Sequence, residues 1–203
     1  MNLKQILTGE PIRLRYIKRF SICPRVHEES VAEHSYYVAF IGMMIAEDLV
    51  AKGHDIDVKL LLCRALLHDL DEVFSGDFIR AFKHNNERVK SAIEDTTHQF
   101  MKIFFSGYPS GTTLLAYWSL SKAKDIEGRI LAFADFLSVL SYIWQEINAG
   151  NVIMFRHLDE LEKYCASFSC EHPEYELFED YQASAVLMLM ELRDIQKKME
   201  VKL

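Results

Sequence analysis

The stretch LLHDLDE, residues 66–72, places an imidazole beside a carboxylate at the polar end of an apolar segment. Apolar residues recur at spacings of three and four over residues 58–70, which predicts a helix that ends near His68 and Asp69. Neighbouring residues on a helix project about 100° apart, so these two side chains can share an ion only at the helix surface. The stretch therefore predicts a metal site that is open on one side.

The same spacing recurs in the other long segments, and no region shows sustained alternation of apolar and polar residues. We therefore predict an all-α fold, a helical bundle. Ser30 and Glu33 have the spacing of a capping box, which predicts a helix over residues 31–50. The other predicted helices cover residues 11–20, 58–70, 86–105, 124–148, 153–168 and 173–199, and turn-forming loops are expected at 21–29, 73–77 and 107–111.

Length and composition limit the possible organisation and partners. A chain of 203 residues, half of them apolar, can bury one core of good size, so we expect a single domain over residues 1–203. The net charge of -7 argues against binding of a nucleic-acid polymer and favours a small-molecule partner. The four cysteines form no C-x-x-C pair, no run approaches the length of a membrane span, and the first residues do not resemble a signal peptide. A cytoplasmic protein without a membrane segment is expected.

Two further residues extend the predicted metal site. His34 lies in the first turns of the helix over 31–50, and Asp135 is one carboxylate inside the apolar run ILAFADFL, residues 130–137. With His68 and Asp69 they offer two imidazole nitrogens and two carboxylate oxygens from three helices. Such a set suits one borderline divalent ion and leaves positions for water and substrate; Co, Mn, Zn, Fe and Mg all remain open.

Each residue also has a plainer interpretation. A single buried histidine is more often a hydrogen-bonded core residue than a ligand, and Asp135 can be satisfied by an arginine or a helix N-terminus. The four residues together favour the metal. Two rival sets are weaker, because the first follows no zinc-module spacing and the second stands among polar neighbours: Cys165, Cys170, His157 and His172; and His84 with His98.

Two acids follow the His68-Asp69 pair. Glu72 lies one turn further on, where it can orient a metal-bound water. Asp77 follows Ser75-Gly76 and can hold a substrate hydroxyl or assist proton transfer, although aspartate in this context is also a common turn residue. Both are predicted catalytic residues, and Asp77 is also a predicted substrate contact.

The segment 11–20 is the one markedly basic stretch of the chain. Its arginines can form a solvated helix face, with Arg15 and Arg19 on one side. The pair Arg19-Phe20 can also bind a nucleotide, because a guanidinium can bind phosphate and an aromatic ring can stack on a base. Core packing is the ordinary use of a phenylalanine such as Phe20.

These residues resemble the HD-domain metal-dependent phosphohydrolases, whose pattern H…HD…D is filled here by His34, His68-Asp69 and Asp135. Within that family, Arg19-Phe20, SVAEHS at 30–35 and HDLDEVFSGD at 68–77 are similar to the bacterial 5'-deoxynucleotidase (YfbR-like) branch. The similarity spans about residues 12–151, and the helices over 153–199 are less diagnostic. The branch usually has tryptophan where this chain has Phe20, which keeps a stacking face but lacks the indole donor.

The resemblance implies an HD-domain helical bundle that binds one divalent ion and hydrolyses deoxynucleoside 5'-monophosphates to deoxynucleoside and phosphate. It implies that the four pattern residues are ligands, that Arg19 grips the phosphate, that Glu72 and Asp77 are the working acids, and that the protein is a homodimer. Two alternatives remain. One is a dNTP phosphohydrolase or another HD-family phosphohydrolase, with extra cations from Arg64, Arg80 or Lys83; the other is a catalytically inactive, nucleotide-binding regulatory HD module.

Overall fold

The computed structural model describes residues 8–77, 86–170 and 175–200, and these ranges are helical without a named strand. The all-α prediction is confirmed. The α-helices are α1 (Val31–Ala51), α2 (Val58–Leu67), α3 (Glu72–Ser75), α4 (Glu87–Ser106), α5 (Gly111–Ser119), α6 (Ile126–Asn148), α7 (Leu158–Cys170) and α8 (Glu179–Glu200). Short 3₁₀ helices cover Glu10–Arg15, Leu120–Lys122, Val152–His157 and Tyr175–Phe178.

The chain divides into two compact units. The first comprises residues 1–21 and 28–132, and the second comprises residues 22–27 and 133–203. Helix α6 is continuous, with residues 126–132 in the first unit and 133–148 in the second. The expectation of a single domain over residues 1–203 stays a prediction.

Helices α1 and α2 pack against each other in the first unit. The predicted capping box opens α1: the Glu33 amide donates to Ser30 Oγ at 3.2 Å, and the Ser30 amide donates to Glu33 Oε2 at 2.7 Å. A cap of this kind stabilises a helix by about 1 kcal/mol. Directly after the cap, Val31 is fully buried and belongs to a core cluster with Leu14, Leu70, Val73, Met101 and Phe105.

The structure corrects the prediction around residues 67–77. Helix α2 ends at Leu67, three residues before the predicted end, because the next turn tightens to hydrogen bonds between residues three apart: Leu70 N to Leu67 O and Glu72 N to Asp69 O. The predicted loop at 73–77 contains the short helix α3. Gly76 ends α3 with φ of 70°, a backbone conformation that favours glycine.

The predicted helix over 11–20 is also wrong in its second half. Only Glu10–Arg15 is helical, as a 3₁₀ helix, and the chain then extends beside residues 29–31. The Val31 amide donates to Ile17 O at 3.0 Å, and the Arg19 amide donates to Glu29 O at 2.9 Å. This pairing satisfies backbone groups that a helix would otherwise satisfy, and it places Arg19 in a turn.

Helix α5 was not predicted, because Gly107 to Gly111 indicated only a break in the helical pattern. In the structure the chain re-enters a helix at Gly111, where an added Cβ would lie 1.9 Å from Phe105 O. Only glycine permits this close approach between the end of α4 and the start of α5. The predicted helix over 153–168 is a 3₁₀ turn followed by α7, and the helix predicted over 173–199 begins at Glu179 after a 3₁₀ turn, with residues 171–174 outside the described ranges.

The second unit has an aromatic core. The ring centroid of Phe133 lies 4.8 Å from that of Phe168 and 5.6 Å from that of Phe178. Among the described residues, α6 is the one helix long and apolar enough to span a membrane by length and composition. Because 61% of its apolar window is buried inside the protein, the same composition is explained by a core helix.

Candidate metal centre

His34 lies in the first turn of α1, and its side chain is fully buried. The capping box and the extended pairing of residues 17–19 with 29–31 fix the start of that helix. From this position the imidazole Nε2 of His34 lies 3.6 Å from Asp69 Oδ2. The sequence prediction that His34 and Asp69 lie together is met in the first unit.

His68 follows the last residue of α2, and its tautomer can be assigned from its contacts. Its Nδ1 lies 2.7 Å from the carbonyl oxygen of Ala65. A carbonyl oxygen only accepts hydrogen bonds, so Nδ1 carries the proton, and in the neutral ring Nε2 presents a lone pair. That Nε2 lies 3.1 Å from Asp69 Oδ2.

A lone pair and a carboxylate oxygen at this distance repel each other unless a proton or a metal ion lies between them. The ligand nitrogen of His34 lies within 4.8 Å of that of His68, and the His34 ring approaches the same Asp69 oxygen. Two imidazoles and a carboxylate are a donor set that divalent transition metals bind. The residues of the first unit therefore fit a divalent ion.

The charge balance at Asp69 agrees with a cation site. Burial alone would raise the pKa of this carboxyl, but the positive charges of His68 and His34 in their protonated forms and of Arg19, with a hydrogen bond from the protonated His68 ring, outweigh it, so the pKa lies well below its ordinary value. The Asp69 side chain is still 25% exposed. An ionised carboxylate with a partly open side is suited to hold an ion that also meets substrate.

Glu72 begins α3, and its environment is the opposite of that of Asp69. Burial and the charges of Asp69 and Asp77 raise the pKa of Glu72 to about 10, with Arg19 opposing them. Within the described part of the chain, its buried Oε2 has no hydrogen-bond partner. A carboxyl in this setting can take up a proton or orient a water molecule beside the ion.

Arg19, Phe20 and Asp77 are linked by contacts close to these acids. Phe20 has φ of 52°, an unfavourable conformation for a residue other than glycine, and its amide donates to Asp77 Oδ2 at 3.1 Å. The Arg19 guanidinium carbon lies 5.7 Å from the Phe20 ring centroid. Burial raises the pKa of Asp77, while Arg19 and the Phe20 amide lower it, so the net shift is upward. The structure thus brings together a cation, an aromatic ring and an acid that the sequence had placed in separate segments.

The sequence did not predict two side-chain contacts near these residues. Glu29 Oε2 lies 3.2 Å from Arg19 Nη1, and both side chains are nearly buried. Trp118 Nε1 donates to Asp71 Oδ1 at 3.0 Å, across 47 positions of sequence, and so ties α5 to the residue before α3. The sequence contains no local signal for the second contact, whereas Glu29 could have been noticed as an acid directly before the capping box.

The other residues named in the sequence analysis differ in burial and contacts. Asp135 is half-buried on the part of α6 that belongs to the second unit. Arg64 is buried and binds both oxygens of Asp125, at 2.7 and 2.8 Å, so the suggested use of Arg64 for a triphosphate is wrong. His98 is exposed and packs near Trp118, as its plainer interpretation expected. The candidates His84, Arg80, Lys83 and His172 lie outside the described residues.

Comparison with known proteins gives consistent matches. The family described as 5'-deoxynucleotidase YfbR-like matches residues 11–186. A 5'-deoxynucleotidase of Pasteurella multocida is 32% identical over 85 residues, a match that covers 41% of this chain and 43% of that protein. A 5'-deoxynucleotidase of Photorhabdus laumondii is 25% identical over 80% of this chain and 84% of its own length. The crystal structure of an HD-domain phosphohydrolase from Listeria innocua superposes with a TM-score of 0.79 at 22% identity and covers all of both chains.

Proposed function

Because the chain belongs to the YfbR-like 5'-deoxynucleotidase family and has the all-α HD-domain fold, we propose that it is a metal-dependent hydrolase of deoxynucleoside 5'-monophosphates, releasing deoxynucleoside and phosphate. The observation that supports this most directly is the approach of the two imidazole nitrogens to one oxygen of Asp69, beside an arginine. A cation is needed between the two imidazole nitrogens and the Asp69 oxygen. The arginine beside them is suited to an anionic substrate.

The proposed ligands of the ion are His34, His68, Asp69 and Asp135. The first three are supported by their distances, and Asp135 by the HD pattern. When bound, a divalent ion lowers the pKa of a water ligand and neutralises charge on phosphoryl oxygens.

Arg19 is the proposed phosphate contact, because a guanidinium forks onto two phosphate oxygens and its charge already acts on the acids of the site. Phe20 is the proposed stacking surface for the base. Asp77 holds the turn that carries both, through its bond from the Phe20 amide, and offers its second oxygen to a substrate hydroxyl.

Glu72 is the proposed acid–base residue. Its raised pKa means that it carries a proton more readily than an exposed glutamate does. It would orient the attacking water and take its proton, or return a proton to the departing nucleoside oxygen. Arg19 would compensate the charge that develops on the phosphoryl oxygens.

The proposal is tested with purified protein that is stripped of metal and reloaded separately with Co, Mn, Zn, Fe or Mg. Release of orthophosphate is measured from deoxynucleoside 5'-monophosphates, from the ribonucleoside counterparts and from dNTPs. We expect release from the deoxynucleoside monophosphates with at least one metal. No release of phosphate from any monophosphate would contradict the proposal. Release of pyrophosphate or tripolyphosphate from dNTPs would indicate a dNTP phosphohydrolase. Nucleotide binding without turnover would indicate a regulatory module.

We also expect a cytoplasmic homodimer that acts on a small-molecule nucleotide. Cys23, Cys63 and Cys165 are free thiols, in agreement with a reducing compartment. Helix α8 exposes Leu187 by 66% and Met190 by 59%, which suits a surface that is covered in an assembly. Light scattering coupled to size-exclusion chromatography should give twice the chain mass, and the mass of one chain would rule out the dimer.

A further inference from the structure

We propose that Glu29 is a positioning residue for Arg19, holding its guanidinium where it meets a phosphate group. The inference rests on the proposed function in one respect only, namely that the phosphate group belongs to a nucleotide. It concerns how the phosphate contact is built, and it can be measured with inorganic phosphate.

The backbone contacts fix where the Arg19 side chain starts. Residues 17–19 run antiparallel to residues 29–31, with an isolated bridge between Lys18 and Ser30. The Arg19 amide donates to the carbonyl of Glu29 at 2.9 Å. Because Glu29 precedes the capping box of α1, the arginine is attached to the same rigid helix start that carries His34.

The side-chain contact fixes where Arg19 points. Its Nη1 donates to Glu29 Oε2 at 3.2 Å, with the two side chains only 14% and 11% exposed. An arginine side chain has many rotamers, and a nearly buried ion pair removes most of that freedom before substrate arrives. Charge-assisted hydrogen bonds with little solvent around them are stronger and more directional than those at the surface.

Other acids compete for the same guanidinium. The charge of Arg19 acts on Asp69, Glu72 and Asp77. Without Glu29, the flexible side chain could turn towards these acids and occupy the place of the phosphate. Glu29 therefore gives Arg19 a fixed partner other than these acids.

Whether Glu29→Gln tightens or weakens phosphate binding distinguishes a positioning role of Glu29 from a simple effect of its charge. Removing a negative charge beside Arg19 makes the surroundings more positive, and this change alone would tighten phosphate binding. Loss of positioning would weaken it. Glu29→Gln keeps the size of the side chain and removes the charge, so the direction of the change identifies the cause.

Glu28 supplies a matched control. It is the adjacent residue, and its carboxylate also pairs with a basic side chain, Lys18, at 3.1 Å. That pair is at the surface, with Glu28 63% exposed. Glu28→Gln removes the same charge from the neighbouring position without touching Arg19, and surface pairs contribute little.

The experiment measures the dissociation constant of inorganic phosphate on the metal-loaded protein by calorimetry. We expect Glu29→Gln to bind phosphate about tenfold more weakly than the wild type, the value of one charge-assisted hydrogen bond, and Glu28→Gln to stay within about twofold. In the Arg19→Ala background, Glu29→Gln should have no further effect, because it acts through the arginine. Glu29→Asp, with its charge one methylene further away, should restore part of the affinity.

The inference would be overturned if Glu29→Gln bound phosphate as tightly as the wild type or more tightly. It would also be overturned if Glu29→Gln weakened phosphate binding as much in the Arg19→Ala background as in the wild type, or if the wild type bound no phosphate. Thermal unfolding without phosphate checks that the variants fold. If Glu29→Gln does not fold, the phosphate affinity of Glu29→Asp is compared with that of the wild type instead. If the wild type hydrolyses monophosphates, the variant should raise KM with little change in kcat. Phosphate binding without hydrolysis would contradict the proposed function and leave the role of Glu29 supported.

Discussion

The two units of the chain each bury acidic groups, but they satisfy them in different ways. In the second unit, Glu146 is fully buried and accepts hydrogen bonds from the amides of Val26 and His27, at 2.8 and 2.6 Å, and from Asn151 Nδ2 at 2.7 Å. Although burial disfavours the charge, these donors lower the pKa of Glu146 below its ordinary value. The carboxylate is satisfied by the protein itself, and its effect is to hold the loop of residues 22–27.

In the first unit, Asp69, Glu72 and Asp77 act on one another electrostatically, and the hydrogen bonds that the described residues give them are fewer. Asp69 faces the lone pair of His68, and Glu72 has a buried oxygen without a hydrogen-bond partner in the described part of the chain. Burial, together with the charges of Asp69 and Asp77, raises the pKa of Glu72. The difference teaches that buried charge alone does not identify a functional site; the cluster in the first unit has few hydrogen-bond donors of its own, and this suits a cation.

The largest expected effect comes from removing a carboxylate of this cluster. Asp69→Asn keeps the side-chain shape but removes the charge between the two imidazoles. We expect phosphate release to fall by about a thousandfold or more, because loss of the ion removes several kcal/mol of transition-state stabilisation. The control is Asp48→Asn, an aspartate of α1 that is 46% exposed and pairs with Lys52. Activity of Asp69→Asn near that of Asp48→Asn would remove the distinction between the two clusters.

The matching change in the second unit should affect stability. Glu146→Gln places an amide NH₂ or a neutral oxygen where two backbone amides and Asn151 donate, and we expect a loss of about 2–3 kcal/mol in the free energy of unfolding. Activity per folded molecule should remain within about twofold of the wild type, since the donors act on the loop rather than on the ion. Denaturant unfolding measures the free energy of unfolding, and phosphate release measures the activity. The control is Glu47→Gln at an exposed position. A stable but inactive Glu146→Gln would contradict the structural role.

The third expected effect concerns stability alone and is its pH dependence in the metal-free protein. The pKa of Glu72 is raised from 4.5 to about 10, so the fold favours its protonated form. The stability contributed by this group is fully present below the unfolded pKa of 4.5 and is lost as the pH rises towards the folded value. The melting temperature should therefore fall from about pH 5 to about pH 9, and Glu72→Gln should flatten this slope. Equal slopes in the two proteins would exclude Glu72 as the cause.

The sequence predicted what depends on local pattern and failed where distant contacts decide. Periodicity and the capping box located α1, and the His68-Asp69 pair was placed correctly near a helix end. The end of α2 was wrong because the tightened turn at residues 67–72 satisfies the backbone without an α-helix. Arg19 was placed on a helix because pairing of residues 17–19 with 29–31 has no periodic signature.

The contacts of the site were the least predictable part. The bond from Trp118 to Asp71 joins residues on different helices, and no pattern within either segment indicates it. The hydrogen bond from the Phe20 amide to Asp77 depends on a positive φ at Phe20, a backbone conformation that phenylalanine rarely adopts. The acids were therefore visible in the sequence, whereas their contacts with the turn at Phe20 and with Arg19 required the structure.

The central claim is that the acids of the first unit are arranged for a cation and that Glu146 in the second unit is not. It is tested most directly by calorimetric titration of the metal-stripped protein with Co, Mn and Zn, comparing the wild type with His68→Gln and with Glu146→Gln. We predict one ion per chain for the wild type and for Glu146→Gln, and binding at least about tenfold weaker, or absent, for His68→Gln. Unchanged binding in His68→Gln, or no metal binding by the wild type, would contradict the account.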